Sequence, residues 1–177
     1  MEDWNVVATS RIGRFDDARK LLGKLGPIDR TGFYNVLVMR CDDVDRLLAD
    51  LLGLLAPREG AVAHVRPARA TFGFRSPEEF EELSRRVALA WAPRLVGQRF
   101  HVRMRRRGFR GRLSSPREEH ILDDELLGAL GRAGEPGSLS FDQDPDAILA
   151  IDTVGDRAGL ALWSREDLHR YPFLGLD

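Results

Sequence analysis

An α/β chain of two units, with helices and strands mixed in the α+β manner, follows from three features of these 177 residues. Strand-like and helix-like patterns alternate from end to end, every apolar run is short, and one complete set of elements closes near Arg66 before another begins. Residues 4–9 read as an apolar strand. Phe15, Ala18, Leu21, Leu22 and Leu25 then recur at helical spacing until Gly26-Pro27 ends the helix. Residues 33–39 give a second clear strand. Asp42 is placed to cap a helix whose Val44, Leu47, Leu48, Leu51, Leu52 and Leu55 form a broad apolar stripe, with Pro57 as its stop. Residues 62–66 form the next strand.

With a weak strand near Ile28, the first 67 residues carry the βαββαβ order of a ferredoxin-like unit. Residues 68–177 form a second unit, with no low-complexity linker between the two, so they are expected to pack together. It opens with a strand at 70–74. Ser76-Pro77-Glu78-Glu79 has a capping serine, a first-turn proline and a glutamate at the third position, and so starts a helix. That helix buries Phe80, Leu83, Val87 and Trp91 and ends at Pro93. A strand beginning near Arg99 follows, then the link GFRGRLS. A second capping box at Ser115-Pro116-Arg117-Glu118 starts a helix buried through Leu122, Leu126, Ala129 and Leu130. Strands at 139–141, 147–153 and 159–163 come next, and a short helix begins after Ser164 and is interrupted by Pro172.

Composition narrows the class. The chain is 43% hydrophobic and 31% charged, which fits a folded globular protein. No apolar run approaches the length of a membrane span and no signal segment opens the chain, so no membrane partner is expected. The single cysteine, Cys41, excludes an internal disulfide and a cysteine-based zinc site. A cytoplasmic protein is expected.

Charge is the strongest functional signal. From Arg99 to Arg117 there are eight arginines and one histidine without an acidic residue, in a chain of formal net charge -1. Alternation places Phe100, Val102 and Met104 on one side of the strand, and His101, Arg103, Arg105 and Arg107 on the other. One face packs inward while the other presents guanidinium groups, whose planar forks bind two phosphate oxygens at once. Arg103, Arg105, Arg106, Arg107, Arg110, Arg112 and Arg117 are the candidate RNA-binding residues. The competing reading is a solvated face in an arginine-rich composition, partly neutralised by the acids of the following helix.

Signatures of catalysis are absent from the sequence: no P-loop, GxGxxG, GxSxG or HExxH. Glu119, His120 and Asp123 read as a solvent-facing charged turn rather than a metal site. Asp142, Asp144 and Asp146 begin like a calcium loop, but Ala147 stands where glycine is needed and Thr153 where the bidentate glutamate is needed, so they read as a turn. Cys41 reads as a buried structural thiol, and Trp4, Trp91 and Trp163 as core. No catalytic residue, metal site or cofactor is expected.

The ordered set FHVRMRRR, glycine link, helix and SLSFDQDPDAILAIDTVGDRAGLALWS resembles a THUMP domain, the RNA-binding module of several tRNA-modifying enzymes. Phe100, Val102, Arg105, Asp142, Pro145, Asp146, Ile148 and Ile151 carry the resemblance, which covers residues 68–174. THUMP domains commonly follow a ferredoxin-like domain. The resemblance implies binding of tRNA at the acceptor-stem end. With 177 residues leaving no room for a catalytic domain, the expectation is a stand-alone THUMP adaptor, not itself an enzyme. Such an adaptor presents tRNA to a separate enzyme, as in cytidine N4-acetylation. The alternative is a ferredoxin-like protein-interaction or regulatory module that does not bind RNA.

Overall fold

Strands and helices alternate as the sequence pattern requires in the computed structural model of the chain, which describes residues 1–55 and 60–176. The chain divides into two compact units, Met1–Arg69 with Tyr171–Gly175, and Ala70–Arg170 with Leu176.

In the first unit the order is β1 (Val6–Ser10), α1 (Phe15–Leu22), β2 (Ile28–Arg30), β3 (Val36–Met39), α2 (Val44–Leu54) and β4 (Val62–Pro67). All four strands pair antiparallel in the order β2-β3-β1-β4, the ferredoxin-like arrangement. Two local expectations shift. α1 stops three residues before Leu25, because Gly23 caps it and a turn follows. The cap of α2 is Asp43, whose carboxylate accepts from the Arg46 N–H at 2.9 Å, rather than Asp42. The expected stop at Pro57 lies outside the described residues. Cys41 is half-buried rather than buried, and burial raises its thiol pKa. The segment Tyr171–Gly175 returns to β4, where the buried Arg66 guanidinium donates to the carbonyls of Leu174 at 2.7 Å and Gly175 at 2.8 Å.

The second unit runs β5 (Ala70–Gly73), α3 (Pro77–Trp91), β6 (Arg99–Arg105), α4 (Ser115–Ala133), β7 (Ser138–Leu139), β8 (Ala147–Val154), β9 (Arg157–Ser164) and α5 (Arg165–Arg170). Its mixed sheet has the order β5-β9-β8-β6-β7, with β6 parallel to both β8 and β7. Phe100, Val102 and Met104 of β6 join Leu149, Ile151, Leu160 and Leu162 in a core closed by Phe80 of α3 and Leu122, Leu126 and Leu130 of α4. The Ser76 cap forms as expected, its hydroxyl accepting from the Glu79 N–H at 3.2 Å. On α3 the buried column is Phe80, Ser84 and Ala88, with Leu83, Val87 and Trp91 half-buried beside it. The second capping box does not form: the cap of α4 is Ser114, and its hydroxyl makes no capping bond.

Helix α4 also completes the sheet. β7 pairs with β6 only over Arg99 and Phe100, so the N–H groups of Val102 and Met104 face an edge without a strand. Asp123 accepts from the Val102 N–H at 2.9 Å and Glu119 accepts from the Met104 N–H at 2.7 Å. The expectation of a solvent-facing charged turn at Glu119, His120 and Asp123 is therefore corrected: Asp123 is only 2% exposed. Unpaired buried amides are costly, and this pair of carboxylates stands in for the missing strand.

Burial raises the Asp123 carboxyl pKa to about 7, against the lowering effect of the Val102 N–H. Between pH ~4, the unfolded value, and pH ~7 the folded protein keeps a proton that the unfolded chain has lost. Stability from this group is therefore full at low pH, falls through that window and is level above it. Asp123→Asn keeps the acceptor without the charge, so urea unfolding at pH 5 and pH 8 should show a smaller fall for the variant than for the wild type. Asp123→Ala should be less stable at pH 5 by ~1–3 kcal/mol, the cost of an unpaired buried N–H. Equal pH dependence in the Asn variant and the wild type would refute this account.

Candidate nucleic-acid interface

The arginine run follows the expected alternation, but the face opposite the core is not an open row. Register places His101, Arg103 and Arg105 beside Ile148, Ala150 and Asp152 of β8, and those beside Trp163, Ala161 and Gly159 of β9. Ile148, Ala150, Ala161 and Trp163 are buried, and α5 packs on β9. His101, expected among the presented cations, is 2% exposed. Its Nδ1 lies 2.6 Å from the Ser140 carbonyl, its ring stacks against Phe141, and burial lowers its pKa. Exposure grows along the strand instead: Arg103 is half-buried and Arg105 exposed.

Beyond β6 the arginines divide by what they touch. Arg107 is bound to Asp152 at 2.7 Å in a half-buried pair, and its backbone N–H donates to Thr153 Oγ1 at 3.0 Å. Arg106 donates to the Gly108 carbonyl. Arg117 lies between Glu81 at 2.8 Å and Glu118 at 3.1 Å, so its charge is matched within the fold. Burial raises the Glu118 carboxyl pKa, with the nearby Glu81 adding to the rise. Arg110 and Arg112 are exposed at the tip of the link, and Arg112 sits over the Phe109 ring at 4.9 Å. The structure thus brings Arg105, Arg106, Arg110 and Arg112 to the outer end of β6 and its link, and holds Arg107 and Arg117 in ion pairs.

The link is held in place from inside. Gly155 donates its N–H to the Arg107 carbonyl at 2.9 Å, tying the link to the turn between β8 and β9. Phe109 has φ 49°, a left-handed conformation that a bulky residue rarely adopts, and its ring packs against Phe74 with centroids 4.8 Å apart. Leu113 is buried and donates its N–H to the Phe109 carbonyl at 3.0 Å. An apolar anchor therefore sits on each side of the exposed Arg110-Gly111-Arg112 tip. The sequence reading missed Phe109, although a lone aromatic in an otherwise polar glycine link signals such an anchor.

At the opposite end of β6 the acidic run is occupied as a turn. Asp142 and Asp146 pair with Arg99 at 3.3 and 3.5 Å, while Asp144 meets Arg165 and His169, each at 3.1 Å. Asp146 also accepts from the Arg99 N–H at 2.7 Å, which fixes the start of the strand.

No protein-family model and no curated protein matches the sequence. Among solved structures, TrmN from Thermus thermophilus is similar with a TM-score of 0.62 at 24% identity, over 89% of this chain and 44% of that one. A possible methylase from Clostridium difficile 630 is similar with a TM-score of 0.57 at 16% identity, over 90% of this chain and 40% of that one. A 4-thiouridine synthetase in complex with RNA and ATP has a TM-score of 0.55 at 15% identity, over 91% of this chain and 41% of that one. This chain thus spans less than half the length of these three structures. The fold is α/β and THUMP-like.

Two expectations are corrected by these likenesses. Proteins described as methylases recur among structures with this fold, and one neighbour, SMU.472, is complexed with SAH. That recurrence overturns both the reading as a non-catalytic adaptor and the reading as a protein that is not an enzyme. Among the described residues no helix is long and apolar enough to cross a membrane.

Gly108 has φ +106°, and a methyl group there would lie 2.9 Å from the Gly155 carbonyl oxygen. Gly111 has φ +76° with open space around it. Gly111→Ala should cost only the conformational penalty of ~1 kcal/mol, whereas Gly108→Ala should cost more because backbone must move as well. Thermal melts of both variants test the anchoring of the link, and equal losses would contradict it.

Proposed function

We propose that this chain is the substrate-RNA-binding part of an RNA-modifying enzyme, a methyltransferase, and that the RNA is tRNA. The observation that carries the reading is the likeness over 91% of the chain to a 4-thiouridine synthetase in complex with RNA, joined by the recurrence of methylases with this fold. The THUMP resemblance supports the acceptor-stem end of tRNA as the contacted region and the cytoplasm as the location.

In this reading Arg103, Arg105, Arg106, Arg110 and Arg112 grip phosphate oxygens from the end of β6 and its link. Arg107 and Arg117 hold the geometry of that end through Asp152, Glu81 and Glu118. Arg110 and Arg112 sit on a tip pinned by Phe109 and Leu113, so little chain entropy is lost on binding. Recognition is by shape and phosphate position, because the deep groove of an RNA helix does not admit side chains.

With about five phosphates neutralised and a slope of about -0.7 per contact, affinity for tRNA should fall by roughly two orders of magnitude between 50 and 200 mM salt. Polarisation titrations of Arg103→Gln, Arg110→Gln and Arg112→Gln combined should show a flatter dependence. Deleting the gene in the native cell should remove a methylated nucleoside from total tRNA, as read by mass spectrometry. Unchanged tRNA methylation, or tRNA binding that ignores salt and the triple substitution, overturns the reading.

A further inference from the structure

Two turns at one end of the first sheet carry large apolar side chains into solvent. β1 ends at Ser10, and the Arg14 N–H then donates to the Arg11 carbonyl at 3.1 Å, closing a turn with Ile12 and Gly13 at its corner. Gly13 has φ +73°, a conformation that favours glycine at that position. The turn between β2 and β3 lies beside it, because the Thr9–Val36 pair ends the ladder and the Ser10 N–H donates to the Asn35 carbonyl at 2.9 Å. Ile12 is 82% exposed and Tyr34 is 78% exposed, more than any other large apolar side chain among the described residues.

Hydrogen-bonded backbone holds both side chains out. The Thr31 hydroxyl accepts from the Phe33 N–H at 3.1 Å and donates to the Val36 carbonyl at 3.0 Å, and Asn35 closes the turn with φ 58°. Residues 11–14 and 31–35 contain two arginines and no acid. Arg14 is bound to Asp17 at 2.7 Å, and the neighbouring Asp16 to Arg30 at 2.7 Å. Arg11 is exposed and has no ion-pair partner among the described residues. Tyrosine and arginine on fixed backbone are the residue types that dominate the energetics of protein interfaces, and Ile12 adds an aliphatic group that water does not solvate well.

We propose that this end of the first unit is a docking surface for another protein, one that offers an apolar pocket bordered by carboxylates. Charge chooses the occupant. In a two-fold pair of this chain the patch would face its own copy, cation against cation with no acid to match either. A nucleic acid would match Arg11 and stack on Tyr34, but it gives the aliphatic Ile12 no pocket to enter. An acid-bordered apolar pocket satisfies all three side chains: Ile12 and Tyr34 leave water, and the Arg11 guanidinium gains a carboxylate that fits its planar fork. None of the residues assigned to RNA above takes part, so the surface stands whether or not that reading does.

The test begins with Tyr34→p-benzoylphenylalanine, a photo-crosslinking substitution, expressed in the native cell and irradiated there. The cross-linked protein is identified by mass spectrometry, purified, and titrated by calorimetry against wild type, against Ile12→Ser and Tyr34→Ser combined, and against Arg11→Glu. Each variant should weaken binding by about tenfold or more, and lysine in place of the partner's carboxylate nearest the cross-link should restore binding to Arg11→Glu. Thermal melts establish that the variants are folded, which the exposure of all three side chains favours. Cross-links to a second copy of this chain, with a dimer in sedimentation that Ile12→Ser removes, overturn the proposal in favour of self-association. Cross-links to RNA overturn it in favour of a nucleic-acid surface. The absence of any cross-link, or a captured protein whose affinity ignores all the variants, overturns it outright.

Discussion

Two carboxylates on α4 hold the strand on which the candidate interface is built. β6 is paired along its length with β8 on one side, but on the other side β7 reaches only its first two residues. The remaining edge N–H groups point toward α4, and Asp123 and Glu119 accept them four residues apart along the helix. Their spacing matches that of Val102 and Met104 because four residues of helix rise ~6 Å, close to the ~6.6 Å between alternate residues of a strand. The same register that satisfies those amides sends the side chains of Val102 and Met104 into the core and leaves Arg103 and Arg105 on the other face. A helix that slid by one turn would leave at least one of the two amides without its acceptor.

The acids of α4 therefore do something other than neutralise the arginine face. Asp123 and Glu119 bind the backbone of the strand, and the neutralisation comes mostly from other elements: Asp152 on β8 for Arg107, and Glu81 on α3 for Arg117, with Glu118 the one acid of α4 that pairs with an arginine of the run. A half-buried pair such as Arg107 and Asp152 sits where screening by salt is weak, so removing one partner would leave the other charge poorly solvated. The exposed arginines of the link face no such constraint. Arg112 gains a platform from Phe109, and a guanidinium over an aromatic ring keeps its N–H edges free for an acceptor. Division of labour among neighbouring arginines thus follows from burial and not from residue type.

Much of the fold was legible because periodicity reports burial. Both sheets' main strands and the helix faces of α2 and α4 came from apolar spacing, and even the weak β2 strand lies where the pattern required one. Less legible was anything decided by a partner distant in sequence. Alternation separated Arg103 from Val102 but could not reveal that β8 and β9 are buried on the second face too, which is why His101 was misread as presented. Asp123 is a subtler case: its charge argued for solvent, yet it lies in helical phase with Leu126 and Leu130, and that phase was the better guide. Caps were misplaced by one residue, at Asp43 and Ser114, because adjacent candidates such as Asp42-Asp43 and Ser114-Ser115 are equivalent in sequence and only backbone geometry chooses between them.

A net charge of -1 conceals this arrangement rather than opposing it. Acids near α1 are bound to Arg14, Arg30 and the N-terminal ammonium, and acids near the start of β6 are bound to Arg99, Arg165 and His169. Close ion pairs are nearly invisible to a ligand beyond the screening length of about 8 Å at physiological salt. What a polyanion meets is the remainder, namely cations that lack a neighbouring carboxylate. Among the described residues, Arg110 on the link, Arg19 and Lys20 on α1, and Lys24 just beyond it belong to that remainder. Local pairing, and not the total, decides where phosphate can settle on a nearly neutral chain.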